Sequence, residues 1–134
     1  MGQLQKIESN LVELGFQIVA ISPDRPENLA ASVKKQRLAY TLLSDSLMEA
    51  SKAFGLAYRV DAGMLQSLKR FGTDLEAASG QSHHLLPVPA VFLVRSDGRI
   101  TFMYANPNYR VRLDPEVLLA AARAQQKEPA SADR

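Results

Sequence analysis

Four consecutive apolar residues, Ile18 to Ile21, lie between a helical pattern that stops at Gly15 and a helix start at Pro26. A run this short and this rich in β-branched residues fits a strand covered on both faces, as in a parallel sheet. Upstream, Leu4, Ile7, Leu11 and Leu14 recur at helical spacing over Gly2 to Leu14, and Gly15 is a natural stop. Downstream, Asp24-Arg25-Pro26-Glu27 offers a capping acid, an early proline and an acid three residues on, so a helix is predicted from there to about Arg37. Helix, strand, helix in this order points to an α/β sheet.

The remaining chain extends the alternation. Thr41-Leu42-Leu43 reads as a second strand, and Ser46-Leu47-Met48-Glu49 reads as a capping box opening a helix. Leu47, Ala50 and Phe54 are its expected apolar face, and Gly55 its end. Met64, Leu65, Leu68 and Phe71 suggest a helix, and Thr73-Asp74-Leu75-Glu76 a further short start. Gly80 to Pro89 is predicted as loop. Ala90–Val94 and Ile100–Tyr104, joined by Ser96-Asp97-Gly98, should form a hairpin. Asp114-Pro115-Glu116 opens the last helix, with Val117, Leu118 and Ala121 expected inward.

With 134 residues the chain suffices for one domain, expected over 1–126, with 127–134 as a disordered tail. No apolar run reaches the ~20 residues that span a bilayer. No basic-then-apolar leader follows Met1. A soluble protein is expected, with the cytoplasm favoured and no membrane partner. The formal charge is only +2, and the densest basic cluster, Lys34, Lys35 and Arg37, fits the solvated end of a helix. Nucleic acid is therefore not expected as a partner. There is no cysteine, which excludes disulfides, thiolate metal sites and a cysteine nucleophile within these residues. No G-x-S-x-G elbow and no Gly-rich phosphate loop occur.

The ordered set AISPD, TLLSD, AFGL, PVPAVFLV and SDGRI, running from about Gln3 to Arg123, resembles the alkyl hydroperoxide reductase/thiol-specific antioxidant family, and within it the peroxiredoxin-like members. The resemblance implies a thioredoxin-like sandwich, a mixed sheet with flanking helices, and thiol-dependent antioxidant or oxidoreductase chemistry. It also implies a reactive cysteine in a W-C-x-x-C type segment, at a helix N-terminus that stabilises its thiolate. That segment would come just before the helix matching Gly2 to Leu14. The first central strand and the cysteine motif are thus expected upstream of Met1, and no catalytic residue is assigned in this chain. Pro89 stands where typical peroxiredoxins carry an arginine, and resembles instead the cis proline beside the thioredoxin active site. A cis Val88–Pro89 bond would cost only about 0.5–1 kcal/mol.

Around the vacant thiol site the expected residues are Val88, Pro89, Tyr109 and Arg110. Asn106-Pro107-Asn108-Tyr109-Arg110 also reads simply as a turn after the hairpin. His83 and His84 are expected to support the Pro87–Pro89 loop by hydrogen bonding; adjacent histidines point apart, and no metal or other cofactor is expected. Asp24, Asp45 and Glu49 are read as helix-start acids. A sheet lacking its central strand would leave two apolar edges unpaired, so a homo-oligomer through those edges is expected. Two functions follow: a peroxiredoxin-like thiol oxidoreductase lineage, inactive in this cysteine-free chain, or a non-catalytic dimeric interaction protein of thioredoxin fold.

Overall fold

The structure, a computed structural model, describes residues 2–108 and 110–127. Its elements run α1 (Gly2–Glu13), β1 (Val19–Ser22), α2 (Pro26–Gln36), β2 (Thr41–Ser44), α3 (Glu49–Ala53), β3 (Ala57–Arg59), α4 (Ala62–Arg70), α5 (Leu75–Ser79), β4 (Leu85–Pro87), β5 (Ala90–Val94), β6 (Ile100–Ala105) and α6 (Pro115–Lys127). The chain divides into two compact units, Val19–Val88 as one and Met1–Ile18 with Pro89–Arg134 as the other.

In the unit formed by the two ends of the chain, α1 packs on α6. The helical spacing read from the sequence buries Ile7 and Leu11, and they meet Leu93 of β5 and Leu118, Leu119 and Ala122 of α6. Each fully buried leucine contributes roughly 1.5–3 kcal/mol through the apolar surface it removes from water. Gly15, at φ +88°, ends α1 by donating its N–H to the Val12 carbonyl, a left-handed turn that a side chain would strain. Asp114 accepts from the Glu116 N–H and so opens α6 at Pro115, as predicted. Leu119 and Ala122 supply its inward face with Leu118, whereas Val117 is exposed. That correction amounts to a small rotation of the helix. The hairpin β5–β6 is antiparallel, with Phe92 opposite Met103, Leu93 opposite Phe102 and a register shift at Leu93/Val94. Its turn is held by Asp97, which accepts from the Arg99 N–H, and by Gly98 at φ +89°.

In the central unit, β1 and β2 pair in parallel, Val19 opposite Thr41 through Ser22 opposite Ser44. Helix α2 packs on β2. It ends at Arg37, whose left-handed backbone closes the last turn, and Lys34 and Lys35 lie beside its carbonyl end. Two helix starts differ from the sequence reading. Arg25, not Asp24, is the N-cap of α2 and makes no side-chain cap; Pro26 supplies the fixed φ that starts the helix. At α3 the N-cap is Met48, in a left-handed conformation, and no Ser46 capping box forms. Asp45 replaces it, accepting from the Ala50 and Ser51 N–H groups and the Ser51 hydroxyl. The helix is thereby turned: Met48 is fully buried, while Leu47 is 55% and Phe54 46% exposed. Farther on, Asp61 caps α4 and Asp74 caps α5. The expected loop from Gly80 contains a strand, β4, because β3 offers it an antiparallel partner, Ala57 opposite Pro87 through Arg59 opposite Leu85.

Among the described residues the strands form three two-stranded ladders and not one mixed sheet. Each strand in these ladders, β1 and β5 included, is hydrogen-bonded to a single neighbour. The last helix runs through Lys127, and the rest of the expected tail lies outside the described residues. No helix among the described residues is long and apolar enough to cross a membrane.

Candidate functional site

In the loop after α5, His83 and His84 each make side-chain hydrogen bonds to other segments of their unit. Gly80, at φ +71°, reverses the chain at the end of α5 and delivers residues 81–84 back toward the start of that helix. The Leu85 N–H donates to His83 Nδ1 over 3.0 Å. An N–H only donates, so Nδ1 must be the bare nitrogen and Nε2 must carry the proton. Nε2 then donates to the Ser46 carbonyl over 2.7 Å. His83 is thus a neutral strut tying the start of β4 to the segment before α3.

His84 points elsewhere, as adjacent residues should. Its backbone is left-handed at φ +55°, a strained conformation for a side chain of this size. Its carbonyl accepts from the Val60 N–H, and its Nε2 lies 2.6 Å from Glu76 Oε1 on α5. Glu76 is eight residues away, so this pairing was not legible in the sequence; the Gly80 reversal creates it. His84 and Glu76 also line a groove of about 260 Å³ with Leu65, Lys69, Asp74 and Leu75. Asp24 lies in a smaller cleft on the same unit with Pro23, Ser79, His83 and Leu86. It does not cap α2, and burial raises its carboxyl pKa above the ordinary value. Among the described residues no group of three or more His, Asp or Glu could hold a metal ion.

The residues expected around the thiol site are placed as follows. Val88 continues the β3–β4 ladder, donating its N–H to the Leu56 carbonyl. No cis peptide occurs among the described residues, so the Val88–Pro89 bond is trans and the cis geometry implied by the resemblance is corrected. The step links the end of β4, at Pro87, to the start of β5, at Ala90. The Pro89 carbonyl accepts from the Asn106 N–H, which joins it to the segment after β6. There Asn106 Oδ1 accepts from the Asn108 N–H and Asn108 Oδ1 from the Arg110 N–H, two successive side-chain-to-backbone turns. Arg110 is exposed, and Tyr109 lies outside the described residues. Turn chemistry therefore accounts for both asparagines, and Pro89 is brought to this turn through Asn106.

Chemically, this arrangement holds loops in place and carries no thiol, since the chain has no cysteine. What lineage it comes from is settled by comparison. The profile of the AhpC/TSA family matches residues 1–103. A Haemophilus influenzae protein named "Putative peroxiredoxin bcp" is 40% identical over 53 residues, which is 40% of this chain and 34% of that protein. The matched segment thus spans about a third of that relative's length. With the family profile covering well over half of the residues, this α/β chain of thioredoxin-like class belongs to the AhpC/TSA family.

Proposed function

We propose that this chain is the body of a peroxiredoxin-like, thiol-dependent antioxidant and that it does not itself turn over peroxide. The observation that carries the reading is the family match over residues 1–103 in a chain without a single cysteine. Thiol-dependent reduction of a peroxide needs a thiolate to attack the O–O bond and become a sulfenic acid, which a second thiol then reduces. None of the hydroxyl, imidazole or carboxylate groups here can replace that redox cycle. The resemblance implies a reactive thiol in a W-C-x-x-C type segment, and none of these 134 residues supplies one. That β1 and β5 each pair with a single neighbour among the described residues fits the absence of the strand that the resemblance implies.

The same two strands favour a second reading, a non-catalytic protein that assembles with copies of itself through sheet edges. Consumption of hydrogen peroxide in the presence of dithiothreitol tests the first. The purified chain should leave the rate at that of buffer alone. Catalytic consumption, many equivalents per chain and proportional to its concentration, would overturn the proposal and exclude the non-catalytic reading with it.

A further inference from the structure

The chain has four methionines and no cysteine, so thioethers are its only sulfur. The fold treats them unequally. Met48 is sealed at the left-handed start of α3 with none of its surface exposed. Met64 is partly covered on α4. Met103 stands in the middle of β6 and is 63% exposed. Its strand neighbour Phe102 packs against the core of its unit, so the alternation of the strand sends Met103 to the opposite face. On that face the ladder places it directly across from Phe92.

We propose that Met103 is the modification site at which hydroperoxides oxidise this chain. The distal oxygen of the hydroperoxide is taken by a sulfur lone pair. The O–O bond breaks as the S–O bond forms, and the proton of the transferred oxygen passes to the departing alkoxide or hydroxide. Sulfur loses two electrons and becomes a sulfoxide, and the hydroperoxide becomes an alcohol or water. The product is the reversible rung of methionine oxidation, restored by sulfoxide reductases. Because the side chain is already in solvent, the new polar S–O group is not forced into the core, so the site can cycle without unfolding β5–β6. The same event at Met48 would put a polar sulfoxide into a closed interior. The inference rests on exposure and packing, and stands whether or not a cysteine-bearing segment belongs to the protein.

Peptide mapping after hydrogen peroxide treatment of the folded chain tests it. Trypsin separates the three internal methionines into peptides 38–52, 60–69 and 100–110. The gain of about 16 Da for one oxygen should accumulate in peptide 100–110 at least ~10-fold faster than in 38–52, and ahead of 60–69. In urea the three rates should converge, which assigns the selectivity to the fold. Met103→Leu should remove the fast phase and leave the other two peptides unchanged. Equal rates in the folded chain, or a lead by Met64 or Met48, would overturn the proposal.

Discussion

Asp45 and Asp24 stand on either side of the β1–β2 ladder's C-terminal end, and their surroundings push them in opposite directions. Burial alone would raise the Asp45 pKa, but its carboxylate accepts from the Ser51 N–H, the Ser51 hydroxyl and the Ala50 N–H, and the net effect is a lowered value. A lowered folded-state pKa means the contribution is present above the unfolded value near 3.8 and is lost as pH falls through the folded one. Asp24 is raised by burial, so its contribution has the other sign: it favours the fold when protonated and is lost as pH rises through its folded value. Asp45→Ala is expected to cost about 1–3 kcal/mol at neutral pH, because the α3 donors lose their acceptor. Asp45→Asn should flatten the acid limb of stability while the limb due to Asp24 remains. Urea midpoints measured from about pH 3 to pH 6 check both. An unchanged acid limb in Asp45→Asn would assign acid sensitivity elsewhere. From sequence the two acids looked alike, each just ahead of a helix. Only the second faces free N–H groups, because Pro26 has taken over the start of the first helix and Arg25 its cap position.

Helix α3 shows how little it takes to turn a short element over. The Ser46–Glu49 pattern predicted a start two residues too early, and with it the wrong face. Once Asp45 does the capping, Met48 becomes the cap residue and points inward, and Leu47 points out. In a helix of five residues no later turn corrects such an error. The decisive comparison is therefore Met48→Ala against Leu47→Ala. The first should cost about 2–5 kcal/mol by opening a cavity, the second less than about 0.5 kcal/mol. Chemical denaturation of the two variants side by side measures this, and the reverse ranking would restore the capping-box face. Longer elements were legible because their periodicity is redundant: Leu4, Ile7 and Leu11 of α1 all pack into one core cluster. Strands β3 and β4 were not, since three residues each give no period, and their pairing depends on a contact nearly thirty residues apart in sequence. The Glu76–His84 pair escaped for a related reason, as it is set by a left-handed glycine between them and not by any local spacing.

The strands of the described residues pair as three separate two-stranded ladders. A lone pair of strands is marginal in water unless a face or an edge is covered. Helix α2 lies against β2, but on the other face of the β1–β2 ladder Val19, Ile21 and Leu43 are all close to half exposed. Natural edge strands protect themselves with lysine, proline or a bulge. The β1 sequence VAIS has none of these, and β5, AVFLV, has only the register shift at its far end. The alternation of elements was legible in the sequence because each strand is bounded by its own stop signals. The number of ladders was not, because it depends on which strands are present to pair. These unprotected edges motivate the proposal that the chain associates with copies of itself. Light scattering across the micromolar range should give a mass of at least twice 14.7 kDa, falling on dilution. Ile21→Lys adds a charge at an already exposed position of β1, so the fold should tolerate it, and it should shift the population to monomer. A wild-type chain that stays at 14.7 kDa throughout that range would mean that the edges are satisfied within one molecule, and the self-association reading would fall.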